Sequence, residues 1–366
     1  MYRCKNCLNA STRPRIEFDD RGWCNACQWM EEKKTLNWEE REVQLTRLLN
    51  KHSGKAHFDC IVTVSGGKDG SYVAYTMKEK YGLNPLCLTV RPPMALNVGE
   101  KNLVNFINSG YEHIHVSVNQ TAMQILDKIG FLEYGQGYYG WLIAIHTAVL
   151  RVASTYGINL VFYSEDGEIE YGGSTKNKNV PTYGIEYMKN AYLNSTYDDI
   201  LSKADLSLKD SYWFLFPEDI ENKLPDLEVA HLSYFENWDP YRNYLVAKEF
   251  CGLEELDEGV VGTFTNFAQN DQELATLHYY LMYLKFGFGR ATQDAGIEIR
   301  RGAMSREQAV NLVKIYDNQP PLDGFKRYAK YFGISLEDFN QTIDRFANKE
   351  LFQKVNGLWE PMFEIN

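Results

Sequence analysis

The chain has 366 residues, with 38 Lys and Arg against 49 Asp and Glu, for a net charge of −11. That balance repels a phosphodiester backbone unless cations gather on one face, so a general nucleic-acid binder is disfavoured. No apolar run approaches the ~18–20 residues of a membrane helix, and the first residues lack a basic-then-apolar leader, so the expectation is a cytoplasmic protein with no membrane partner. The length exceeds what one core usually serves, which predicts one main domain with substantial additions. Aromatic residues make up 14% of the chain, enough to offer broad contact surfaces to a sugar, a nucleotide or a partner protein.

Residues 1–35 carry Cys4 and Cys7, then Cys24 and Cys27, a C-x-x-C pair repeated after an interval with a zinc-ribbon spacing. Two such knuckles place four thiolates on one Zn²⁺ and leave no coordination position open, which describes a structural site. A disulfide pair and a redox C-x-x-C are the alternatives. Residues 36–54 follow as a connector helix, amphipathic and charged from Trp38 to Asn50.

The core is expected over residues 55–175. Ile61, Val62 and Val64 read as a strand buried on both faces; Val73, Ala74 and Met77 recur at helical spacing up to Gly82. Between them lies Ser65-Gly66-Gly67-Lys68-Asp69-Gly70-Ser71. A glycine-rich turn at a helix N-terminus points unpaired N–H groups outward and removes the Cβ atoms that would hold phosphate oxygens away. Further strands are expected at Leu86–Val90, at Ile114–Val118 and at Leu160–Tyr163. Helices fall around Leu103–Ile107, Met123–Ile129 and Trp141–Ala153. This alternation predicts an α/β fold with a doubly wound parallel sheet, whose ligand crevice collects the loops at the carboxyl ends of the strands. Two further loops reach that crevice: Thr89-Val-Arg-Pro-Pro, and the acidic stretch after Tyr163, in which Glu165 and Asp166 lie nearest the strand end. A carboxylate there would bind Mg²⁺ or orient an incoming amine, unless the run is simply a solvated loop.

Residues 176–250 read as a helical insertion or lid, and 251–366 as a helical substrate region. Arg290, Arg300, Arg301 and Arg306 are dense for an acidic chain, and guanidinium forks suit phosphate or carboxylate. Ser305 and Gln308 form a capping box, which places Arg306 at a helix start, where a cation calls for an anion. Ordinary salt bridges are the plain alternative.

The loop at 65–71 resembles the Ser-Gly-Gly-x-Asp-Ser loop of the PP-loop ATP pyrophosphatases, which implies an adenine nucleotide alpha-hydrolase-like domain that cleaves ATP between its α and β phosphates. The resemblance implies that Ser65, Gly66, Gly67, Asp69 and Ser71 hold the pyrophosphate. Gly70 stands where the motif has its second serine, so the hydroxyl role passes to Ser71. It also places the adenosine at the backbone of Val90 and the side chain of Arg91. The double C-x-x-C, Val-Ser-Gly-Gly-Lys-Asp-Gly-Ser, Glu-Asp-Gly-Glu-Ile-Glu-Tyr-Gly-Gly, Phe-Gly-Phe-Gly-Arg-Ala-Thr and Ile-Arg-Arg-Gly together resemble the N-acetyl sugar amidotransferase family of surface-polysaccharide and nonulosonate pathways. That resemblance implies adenylation of the acetamido oxygen of a nucleotide-activated N-acetyl sugar, attack by ammonia, and release of AMP from an acetamidino sugar.

The implied catalytic set is Lys68, Asp69, Glu165 and Asp166; Arg290, Thr292, Arg300, Arg301 and Arg306 are the candidate sugar-nucleotide contacts. No glutaminase nucleophile is recognisable, so ammonia is expected from separate subunits similar to the glutaminase and cyclase of imidazole glycerol phosphate synthase. A zinc-ribbon PP-loop enzyme that thiolates tRNA is the alternative, and a ribbon used for assembly beside a degenerate nucleotide domain is a third reading.

Overall fold

The computed structural model describes every residue except Glu165, Asp166, Gly167 and Asn194. Its centre is a six-stranded sheet of β1 (Cys60–Thr63), β2 (Pro85–Val90), β3 (His113–Val116), β4 (Leu160–Tyr163), β5 (Thr182–Tyr183) and β6 (Glu228–His231), in the order β3-β2-β1-β4-β6-β5. All neighbours run parallel except β5, which pairs antiparallel with β6. The chain steps outward from β1 to β3, then returns across the sheet to β4 on the other flank of β1. The crevice therefore opens between the carboxyl ends of β1 and β4, where the strand order reverses.

Side-chain alternation along each strand feeds two cores. Ile61, Leu86, Leu88 and Val161 pack with the helices α5 (Gln120–Ile129) and α6 (Tyr139–Tyr156). Cys60, Val62, Cys87 and Phe162 pack on the other face with α2 (Trp38–His52), α3 (Lys68–Tyr75) and α4 (Asn97–Asn108). Strands covered on both faces have no polar side, which is why they read as continuous apolar runs. Cys60 and Cys87 are buried within them, and burial pushes both thiols up, as befits packing residues.

Residues 176–250, expected to be a helical insertion, hold short helices but also supply β5 and β6 and so extend the sheet. The helix Pro240–Cys251 then lies along α3. Beyond it, the helices Leu274–Phe286, Phe325–Phe332 and Leu336–Phe346 gather with a terminal hairpin around Phe131 in a third core. The N-terminal ribbon docks on this C-terminal region: Leu8 packs with Ala295, Ala309 and Val313, and Arg3 donates to the carbonyl of Gly287 at 2.8 Å. Among the described residues no helix is long and apolar enough to cross a membrane.

Candidate active site and metal centre

β1 ends at Thr63, and the loop to α3 turns at Gly66, whose φ of +78° lies in the left-handed region. A Cβ there would come within 2.3 Å of the backbone nitrogen of Leu103, so α4 can press against the loop only because residue 66 is glycine. Gly67 caps α3 in extended conformation, leaving the first N–H groups of the helix directed at the crevice. A cavity of about 550 Å³ opens here, and Ser65, Gly67, Lys68, Asp69 and Gly70 line it. Lys68 and Asp69 form an ion pair, and Asn243, fully buried on the helix Pro240–Cys251, donates to Asp69 Oδ1 at 2.9 Å. Val90 and Arg91 line the same cavity, with Arg91 half exposed and 3.8 Å from Glu100. Trp141 borders this corner too, its indole donating to the carbonyl of Val90 at 3.1 Å.

Ser71 and Gly66 are buried beneath the loop and do not line the cavity; the Ser71 hydroxyl has no hydrogen-bond partner there. A hydroxyl missed by sequence reasoning stands closer: that of Ser164, which follows β4, donates to the carbonyl of Thr63 and lines the cavity. A Cβ built on Gly70 would lie 3.4 Å from that hydroxyl and 2.9 Å from both the carbonyl of Thr63 and Cα of Val64. β1 and the first turn of α3 thus approach so tightly that only glycine fits, and the Ser164 hydroxyl lies beside this junction. Glu165 and Asp166 lie outside the described residues. The next acidic residue with a described side chain, Glu170, faces away: it pairs with Lys33 at 2.7 Å and accepts from Trp29 Nε1 at 2.7 Å, tying the acidic loop to the ribbon.

The second wall of the cavity comes from residues 268–293. Ala95 bridges to Gln272, and α4 meets this segment so closely that a Cβ on Gly99 would lie 2.6 Å from Cα of Asp271. The helix Leu274–Phe286 turns Ala275, His278, Tyr279 and Met282, one helical face, toward the space. Arg290 also lines it, paired with Asp294 at 2.8 Å; burial works against its charge, and Asp294 outweighs that and holds the guanidinium above its usual range. The other candidate substrate residues are not brought here. Thr292 is buried and, with Gly289, bonds to Asp317, which closes the start of the helix Arg290–Arg300. Arg301 pairs with Glu298 at 2.7 Å and Asp239 at 3.4 Å. Arg306 donates to the carbonyl of Asn366 at 2.7 Å, and its helix carries the expected capping box.

Arg300 sits at the cysteine cluster. Burial opposes its charge, and Cys7, Cys27 and Cys24 outweigh it and raise the guanidinium above its ordinary value. The four sulfurs all lie within 4.8 Å of one another, at 3.7 Å for Cys4–Cys27, 3.5 Å for Cys7–Cys24 and 3.8 Å for Cys24–Cys27. Metal–sulfur bonds of ~2.3 Å give a tetrahedron with edges of roughly 3.8 Å, so the four thiols are positioned to bind a metal and fit a zinc ribbon. The helix α1 (Asn25–Lys33) begins immediately after Cys24, bringing its positive end to the sulfurs. Outer contacts complete the site: Asn6 donates to Cys27 at 3.3 Å, Asn9 to Cys24 at 3.4 Å and the Cys24 N–H to Cys4 at 3.2 Å.

Residues 261–365 match the family model described as "LPS biosynthesis protein WbpG-like, C-terminal domain". The match takes in the second wall of the cavity and supports the N-acetyl sugar amidotransferase family. A curated relative, the uncharacterized protein MJ1599 of Methanocaldococcus jannaschii, is 35% identical over 92 residues, which is 24% of this chain and 32% of that protein. The chain thus matches about a third of that relative's length. A solved structure, the U34-tRNA thiolase NcsA from Methanococcus maripaludis with its [4Fe-4S] cluster, covers 72% of this chain and 79% of its own at 16% identity. Its TM-score of 0.29 is too low for the likeness to carry an argument.

Proposed function

We propose that this chain, whose C-terminal region matches a WbpG-like lipopolysaccharide-biosynthesis domain and so supports the N-acetyl sugar amidotransferase family, is an ATP-dependent, AMP-forming sugar amidotransferase. The observation that carries the reading is a single cavity with two walls of different origin. One is a glycine-rich loop at a helix N-terminus; the other belongs to the segment matched to the sugar-modifying family. An amide oxygen is a poor leaving group, and transfer of the adenylyl group of ATP to it makes it a good one. In this reading the acetamido oxygen attacks the α-phosphorus, pyrophosphate departs into the cradle of Ser65, Gly67 and Ser164, and ammonia adds to the activated carbon. AMP then leaves and an amidine remains.

Lys68 is the cation beside the cradle, while Asp69, held by Asn243, is oriented to receive a proton or a metal-bound contact. Mg²⁺ would supply charge neutralisation on the leaving pyrophosphate. Zn²⁺ would be held by Cys4, Cys7, Cys24 and Cys27 in a structural role. Ammonia is proposed to arrive from separate glutaminase and cyclase-like subunits, with an ammonium salt able to replace them in vitro.

The test is product analysis with ATP and ammonium in three parallel reactions: N-acetylated sugar nucleotides, bulk tRNA, and neither. AMP and pyrophosphate formed only with the sugar nucleotide, with O replaced by NH in the product, are the expected result. ADP and phosphate as products would overturn the pyrophosphatase chemistry, and AMP formed with tRNA alone would move the substrate to a base.

A further inference from the structure

His231 closes β6, and its ring stands between two cavities. On one side is the large cavity of about 550 Å³ beside the glycine-rich loop. On the other is a smaller one of about 50 Å³, bounded by Trp29 of the ribbon, Glu170, Tyr183, Ser233 and Tyr234. Among the described residues His231 alone lines both. The topology produces this wall: β6 lies between β4 and β5, so His231 faces Tyr163 across one ladder, while Tyr183 sits on the other, paired with Val229. The smaller cavity reaches the surface at Val180, which is 44% exposed.

Tyr183 stacks on the His231 ring with centroids 4.9 Å apart, and the Tyr192 hydroxyl shares a 2.6 Å hydrogen bond with its Nε2. Tyr183 lines the smaller cavity and Tyr192 the larger, so the imidazole is held by an aromatic face on one side and a hydroxyl on the other. Rotation about the His231 side chain gives up these contacts and joins the spaces that the ring divides. Size then limits what passes: a cavity of about 50 Å³ takes a few water-sized molecules and excludes a nucleotide or a sugar. In the reading above, the larger cavity receives ATP and a sugar nucleotide together, and a third reactant using the same mouth would meet two bulky ligands. Ammonia is the reactant with the dimensions of water. It donates and accepts hydrogen bonds, as do the hydroxyls of Ser233 and Tyr192 on either side of the ring.

We propose that the smaller cavity is the entry port for ammonia, and that ammonia passes into the larger cavity past the ring of His231, which gates the two. The identity of the passing molecule rests on the amidotransferase reading above; the port and its shared wall do not.

The experiment measures amidine formation by the full chain from ATP and N-acetylated sugar nucleotides, with ammonium chloride titrated while both other substrates are saturating. Val180→Trp narrows the outer rim and Ser233→Phe fills the cavity; each should raise the apparent KM for ammonium about tenfold and leave those for ATP and the sugar nucleotide in place. Val180 is exposed, so its variant decides the matter even where Ser233→Phe fails to fold. His231→Ala takes the gate away. Methylamine, one carbon larger, should serve the wild-type chain about tenfold or more worse than ammonia, and His231→Ala should accept it, giving an N-methylamidine identified by mass. An ammonium KM unchanged in Val180→Trp overturns the port, as does an equal rise in the KM for ATP or the sugar nucleotide. Methylamine handled alike by the wild-type chain and His231→Ala overturns the gate. A wild-type chain that forms no amidine from ammonium and any of the sugar nucleotides sinks the amidotransferase reading and the port with it; ammonium-dependent amidine formation that the variants leave untouched sinks the port alone.

Discussion

At the scale of single residues, three positions carry constraints that substitution would expose. Gly70 is enclosed by the backbone of Thr63 and Val64 at 2.9 Å, contacts that cannot yield without moving β1 from α3. Gly70→Ser, although it restores a hydroxyl, should cost roughly 1–3 kcal/mol of stability by overpacking and lower ATP affinity, as read by denaturant melts and titration with ATP analogue. Ser164→Ala should weaken ATP binding with the melt unchanged, if Ser164 supplies the oxygen that Gly70 lacks. Asp127 is buried beneath the start of α6, accepting from the N–H of Gly140 at 2.7 Å and the hydroxyl of Tyr331 at 2.7 Å. Burial outweighs these bonds and pushes its carboxyl up to about 7. Between its unfolded value near 4 and about pH 7 the folded chain holds a proton that the unfolded chain has lost, so this group's contribution to stability declines as pH rises through that window. Asp127→Asn should flatten the decline in urea melts at about pH 5 and pH 8, and an identical slope in both proteins would show that no proton resides there.

Elements matter through the surfaces they lend to one another. α3 presents the loop, but the helix Pro240–Cys251 fixes the direction of its Asp69 through Asn243. Asn243→Leu keeps the buried volume and removes the donor, so the Asp69 carboxylate is held by Lys68 alone. AMP formation should fall about tenfold with the melting temperature little changed, since positioning and not packing is lost. The helix Arg306–Tyr316 has a complete capping box, in which Ser305 accepts from the Gln308 N–H at 3.2 Å and the Gln308 side chain accepts from the Ser305 N–H at 2.9 Å. Ser305→Ala should cost about 1 kcal/mol, visible as a lower denaturation midpoint with unchanged slope, and leave catalysis alone.

At the scale of the whole molecule, the ribbon is part of the cavity's support. Arg13, from the ribbon, lines the cavity, and Asn9 and Asn25 donate to the carbonyls of Tyr171 and Gly173 at 3.2 and 2.6 Å. Lys33 and Arg300 hold Glu170 by its carboxylate and its carbonyl. Tyr171, the end of this tether, also lines the cavity. Removing a metal held there should therefore unseat one side of the cavity as well as unfold the ribbon. Elemental analysis should find zinc at one per chain, and a chelator that strips it should lower the melting temperature and sugar-nucleotide binding together. Metal-free protein with full activity would reduce the ribbon to an appendage, and iron–sulfur absorbance would overturn zinc.

What local sequence determined are the features written in short-range periodicity and composition. The apolar run that breaks into glycines at 65–70 had to be a strand, a turn and a helix start; the alternation from Cys60 to Tyr163 had to build a parallel sheet. The paired C-x-x-C spacing had to bring four thiols together once each knuckle formed. Tertiary structure alone decided the rest. β6 is four residues without a distinguishing pattern, and it becomes a strand because β4 offers it an open edge to pair with. Arg300 and Arg301 are adjacent in sequence, yet one is drawn to a buried thiol cluster and the other to surface carboxylates, because helix geometry points neighbours in different directions. Gln269–Gln272 is a polar run with no motif of its own inside a region read as helical, and only close packing on α4 sets it against the cavity. An unpaired donor or acceptor becomes visible only after the fold has removed water from around it.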